Sequence, residues 1–165
     1  MSTLQSEILK GYYTAVKALG NKSKNSDAWF EMDGYEQMGL LTKQFPWPIM
    51  GVMGEVEIAG PAGMPMYETQ QSKTAFQGSI TFEETVTGMV HEFTRDVIVK
   101  NGGIIPAATI YEGTPDRFYR AIRIRDAFFQ FDNVDRDWEN RSQVTLVNGT
   151  IYFHYFGEVV PGNIA

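Results

Sequence analysis

The sequence predicts a mainly β fold of the α+β class, with an N-terminal helical segment and one further helix flanking the strands. Three observations lead there. The last third of the chain, Tyr111 to Asp132 and then Asp135 to Glu158, is dominated by residue types that favour extended, packed structure. Within it, Phe118, Ile122 and Ile124 alternate with Arg117, Ala121 and Arg123, the two-residue period of a half-buried strand. Helical periodicity is confined to two stretches elsewhere.

The first of these runs from Leu4 to Leu19. Leu4, Ile8, Tyr12, Ala15 and Leu19 fall on one stripe, with Ser2 or Thr3 as cap and Gly20 as stop. The second, Val86 to Asn101, puts Val86, Met89, Val90, Phe93, Val97 and Ile98 on one face and ends at Gly102 and Gly103. Strands are expected at Trp29 to Asp33, Gly51 to Ile58, Phe76 to Glu84, Arg117 to Ile124, Ala127 to Phe131 and Gln143 to Phe156. Asn148-Gly149 is locally a hairpin signal, but the apolar alternation on both sides favours one long strand with Gly149 at a bulge or close approach.

Phe45 to Lys73 stands apart. Pro46, Pro48, Pro61 and Pro65, several glycines and Met50, Met53, Met64 and Met66 exclude a regular helix. A long loop of this composition reads as an adaptable interaction surface, because methionine packs against irregular partners; the alternative is a flap folded over its own core. The surface candidates are Pro46, Trp47, Pro48, Met50, Met53, Met64, Met66 and Tyr67, joined by Arg136, Trp138 and Arg141 of the charged turn near the C-terminus. The arginine-dense polar face around Arg117 to Arg125 calls for an acidic complement, which a repeating neighbour subunit would supply as well as a substrate.

Composition sets the outer limits. At 165 residues the chain holds one core rather than two. Eleven Phe, eight Tyr and three Trp mark it as globular, and a net charge of −6 argues against general nucleic-acid binding. With no cysteine, disulfides and thiolate metal sites are excluded. Glu7 interrupts the N-terminal apolar residues, so no signal peptide is expected and the reading is cytoplasmic synthesis. From Asp27 to Glu92 ten acidic residues meet only Lys43 and Lys73, whereas from Arg95 to Arg141 eight basic residues balance eight acidic ones. Such asymmetry is either an ordinary solvated surface or a deliberately acidic face.

Catalytic chemistry has little to stand on. His91 lies in the second helix beside Glu92 and His154 between Phe153 and Tyr155; neither has a motif partner, and a lone histidine in an aromatic strand reads as a packed residue rather than a base. No nucleophile elbow, Walker loop or dinucleotide fingerprint is present. Asn133, Asp135 and Asp137 match the start of a calcium loop, but Trp138 and Val144 replace the required glycine and glutamate. The expectation is no enzyme, no cofactor and no metal.

The order of elements, the strand Phe76 to Glu84, the helix ending in Gly-Gly, the aromatic-acidic-Trp turn from Phe131 to Trp138 and the final strand together resemble the tail tube proteins of contractile-tailed bacteriophages, themselves similar to the haemolysin-coregulated tube protein of type VI secretion. The resemblance covers Trp29 to Glu158. It implies a small β-barrel or sandwich flanked by a helix, homo-hexameric rings stacked into a tube, tail sheath and baseplate proteins as partners, a place in the virion tail after assembly in the host cytoplasm, and DNA passing without specific binding. A baseplate or tail-completion protein of the same fold is the alternative, followed by a small β-barrel binding protein or enzyme. Residues 1–25 are then an N-terminal helical extension and residues 26–160 the tail-tube-like domain, with 45–73 as its interaction loop. An acidic bore would repel phosphates, and Glu31, Asp33, Glu55, Glu57, Glu83 and Glu84 are its candidates.

Overall fold

The computed structural model describes residues 5–164. Helix α1 (Ser6–Ala18) leads through a linker into β1 (Trp29–Met32), a short 3-10 turn (Glu36–Leu40) and β2 (Thr42–Gln44). A two-stranded ribbon, β3 (Glu55–Ala59) and β4 (Pro65–Thr69), precedes β5 (Ala75–Glu83), helix α2 (Met89–Asn101), β6 (Ile105–Gly113), β7 (Phe118–Phe131), β8 (Leu146–His154) and β9 (Val159–Pro161). The expected N-terminal caps Ser2 and Thr3, and Leu4, lie outside the described residues.

Seven strands form one antiparallel sheet in the order β1-β6-β7-β8-β5-β2, with β9 added along β7. The sheet curls into a nearly closed barrel, so the fold is mainly β with two helices, as the sequence predicts. Its two edge strands come together through aromatic packing rather than a ladder: Phe30 of β1 stacks on Phe45, just past β2, at 5.7 Å. Inward residues of successive strands make the core, among them Phe30, Met32, Ile80, Phe82, Ile110, Ile124, Ile151 and Phe153, each at most 2% exposed. Helix α2 packs on this core through Val90, Phe93 and Val97, and the Phe93 ring meets Tyr35 at 5.0 Å and Phe82 and Phe129 at 5.8 Å.

Asn148-Gly149 lies inside β8, paired with Thr81 and Ile80 of β5, and Gly149 also faces Phe131 of β7. A Cβ on Gly149 would come within 2.5 Å of the Gln130 carbonyl oxygen, so this is the close approach of strands, and the local hairpin signal is overridden. The stretches expected as separate strands, Arg117 to Ile124 and Ala127 to Phe131, form the single strand β7, which bends at a register shift where Asp126 adopts φ 49°. Strand β6 was not expected at all. It is buried on both faces along Ala107 to Ile110, so it lacks the two-residue alternation, and Pro106 and two alanines blur its strand signal.

Candidate functional site

The segment from Phe45 to Lys73 divides into a root and a ribbon. At the root, Phe45, Pro46 and Trp47 are half-buried and Pro48 is buried against the barrel. Pro46 fills the space over Gly78, where a Cβ would lie 2.4 Å from the proline ring, and Trp47 lies beneath the Arg120 guanidinium at 5.7 Å. From Gly51 the chain leaves the barrel as an antiparallel ribbon. Backbone bonds Lys73 N–H to Gly51 (2.9 Å), Met53 N–H to Gln71 (2.8 Å) and Gln70 N–H to Gly54 (2.9 Å) continue the β3–β4 ladder back toward the root. The turn at its tip closes with the Gly60 N–H donating to the Met64 carbonyl at 2.6 Å, Ala62 and Gly63 taking positive φ.

Alternation gives the ribbon two different faces. Val56 and Ile58 oppose Glu68 and Met66, whereas Glu55 and Glu57 oppose Thr69 and Tyr67. Among the described residues nothing buries the apolar face: Val56 and Met66 are exposed and Ile58 is half-buried, while Tyr67 on the glutamate face is 74% exposed. An isolated two-stranded ribbon is only marginally stable in water.

Helix α1 has the same property. Ile8, Leu9, Tyr12, Tyr13, Ala15, Val16 and Leu19 occupy one side, and Ser6, Glu7, Lys10, Gly11, Thr14, Lys17 and Ala18 the other, yet no residue of the helix is buried. The sequence reveals the stripe but not that the chain's own barrel leaves it bare. The helix launches from a fixed point: the Ser23 hydroxyl donates to Glu112 at 2.6 Å, Arg120 bonds the other oxygen of that carboxylate, and the Gly113 N–H donates to Asp27. The Ser23 hydrogen bond first, and Arg120 with it, hold the Glu112 carboxyl below the ordinary carboxylate value despite burial.

The acidic complement of the arginine face comes from the chain itself. Arg123 donates to Asp33 at 2.9 Å and to the Thr109 hydroxyl at 2.7 Å, Arg125 grips Glu158 through two bonds at 2.9 and 3.2 Å, and Arg120 takes Glu112. Asp33 and Glu158 lie 90 and 33 residues from their arginines, and Glu112 faces Arg120 from β6, a strand without a clear sequence signal, which is why the alternation could not identify them. In the charged turn, the Asp137 carboxylate accepts from the Glu139 N–H at 2.9 Å, Arg136 reaches the Thr145 hydroxyl at 3.5 Å and Trp138 is 95% exposed.

The six acidic candidates for a channel wall occupy three places. Glu31 lies on β1 and Asp33 just past its end, both beside Arg123, Glu55 and Glu57 share one face of the ribbon, and Glu83 ends β5 with Glu84 the next residue. Asp33 and Glu83 are paired, the latter with Lys43 at 3.8 Å. Glu84 is a helix cap: its carboxylate accepts from the N–H groups of Thr85, Val90 and His91 and from the His91 ring. Burial pushes its carboxyl up, but the His91 ring and these backbone donors outweigh that and leave it below the ordinary value. Glu31 is pushed the other way, by burial and then by Glu36, Asp33 and Asp116, with only Arg123 opposing. His154 stacks on Phe156, and its Nδ1 is buried without a hydrogen-bond partner among the described residues.

No protein-family model matches the chain, and no curated protein matches it in sequence. In three dimensions it is similar to a chain of the sheath–tube complex of an extracellular contractile injection system, PVC, in its extended state, with a TM-score of 0.56 at 12% identity over 89% of this chain and 95% of that one. It is similar also to a chain from the PVC sheath/tube terminator (0.52, 10%, 86% and 97%) and to one from the cap of the anti-feeding prophage, a tube-terminating cap (0.54, 10%, 85% and 90%). At such identities the likeness is one of fold: a tail-tube-like barrel, of the kind found in components of contractile injection systems.

Proposed function

We propose that this chain is a structural, non-enzymatic subunit of the tube of a contractile tail, closing into hexameric rings that stack into the channel for DNA ejection. The observation that carries the reading is the uncovered β3–β4 ribbon on a tail-tube-like barrel. A subunit that must grip its neighbours needs an element that projects beyond its own core and gains its burial from another copy. The partners are then further copies of the chain within the tube, the sheath around it and the baseplate below, and the place of the protein is the tail of a virion assembled in a bacterial cytoplasm. In such a tube Glu55 and Glu57, free of any ion pair among the described residues, present carboxylates on one ribbon face that would repel passing phosphates.

A second reading, a terminator or baseplate subunit of the same fold, is favoured by likenesses to the terminator and cap chains that nearly equal the one to the sheath–tube complex. The two readings differ in whether growth is limited. Negative-stain electron microscopy of the purified protein distinguishes them: open-ended tubes of variable length support the tube subunit, single or paired rings the terminator, and a protein monomeric at all concentrations neither.

A further inference from the structure

The two uncovered elements leave the barrel from neighbouring points. The Ser23 anchor of the helical arm and the Trp47–Ile49 root of the ribbon line one open cleft of about 590 Å³. A 13-residue helix with no side-chain cap is marginal alone in water, as is a two-stranded ribbon, so each needs an apolar surface from elsewhere. Their charges have opposite signs. Residues 5–25 carry Lys10, Lys17, Lys22 and Lys24 against Glu7, whereas residues 51–73 carry Glu55, Glu57 and Glu68 against Lys73. Helix on helix would gather lysines and ribbon on ribbon would gather glutamates; helix on ribbon brings opposite charges together around an apolar contact.

We propose that α1 of one copy docks on the Val56–Ile58–Met66 face of the β3–β4 ribbon of a second copy, with the arm's lysines set against Glu68, which shares that face. The occupant is another copy because, among the described residues, α1 has no buried side chain and Val56 and Met66 stay exposed, while the two elements carry opposite net charge. This contact rests on the reading of the chain as a self-assembling subunit and adds the specific pair of elements that joins neighbours.

The absence of cysteine makes the test direct. A Val16→Cys/Met66→Cys double variant, assembled and then mildly oxidised, is expected to give a ladder of covalent multimers on a non-reducing gel. An equal mixture of the two single variants should give dimers containing one chain of each, identified by mass spectrometry. Adding Lys10→Glu and Lys17→Glu should lose most of the cross-linking, and adding Glu68→Lys should restore much of it. Homodimers of either single variant, or a cross-linked monomer of altered mobility from the double variant, would overturn the proposal. Rings or tubes seen by microscopy without the mixed cross-link would overturn it while leaving the structural function standing. A protein that never assembles would overturn both.

Discussion

Glu84 shows how one side chain fixes the start of an element. Its carboxylate gathers three backbone N–H groups and an imidazole at the end of β5, so α2 begins at Met89 rather than at Val86, where apolar spacing alone placed it. Removing the cap with Glu84→Gln should cost about 1 kcal/mol, in the usual range for a lost helix cap, and lower the thermal midpoint. The pH dependence has a definite sign. The folded carboxyl titrates below the ordinary 4.5, so its contribution is complete above that value and is lost as pH falls through the folded value. The gap between wild type and variant, followed by thermal melts, should therefore close in acid; a pH-independent gap would contradict the capping role. Glu31 has the opposite sign. Its raised value means that burying the charge destabilises the fold at neutral pH, so Glu31→Gln should raise the midpoint there, with the gain vanishing below 4.5.

At the scale of elements, legibility followed the physics of alternation. Strand β8 could be read through its Asn-Gly because Val147, Ile151 and Phe153 keep the two-residue period on both sides of Gly149. Strand β6 could not, because a strand buried on both faces has no polar side to alternate. The loop from Phe45 to Lys73 was legible as a surface of unusual composition, but not as two parts, since seating Pro46 over Gly78 depends on β5 rather than on local sequence. The ribbon's behaviour is accordingly specific. Residues 51–73 should be cut readily by protease in free subunits and resist in assembled particles, whereas Pro46 to Pro48 should resist in both. Removing residues 55–69 should leave the barrel's circular dichroism and melting intact while abolishing stacking. Equal protection of the whole segment in both states would assign it to the subunit's own core.

At the scale of the whole molecule, the internal arginine pairs matter most. With Arg120, Arg123 and Arg125 each paired within the chain, the face that the sequence offered to an acidic partner is largely neutralised, and the helical arm and the ribbon are among the apolar surfaces that the described residues leave unpartnered. The net charge of −6 is therefore carried by carboxylates such as Glu55 and Glu57, which no base pairs with among the described residues. Lysine at both positions should leave particles intact by microscopy but slow DNA passage in an ejection assay, with the delay shrinking as salt rises, because a positive wall holds phosphates electrostatically. A delay insensitive to salt, or none at all, would place these residues away from the bore.

The central claim is that this barrel is a subunit which completes itself only against copies of itself. Negative-stain electron microscopy of the purified, concentrated full-length chain tests it most directly. The account predicts rings of uniform diameter with a central channel, stacked into tubes; a field of isolated monomers at every concentration would contradict it.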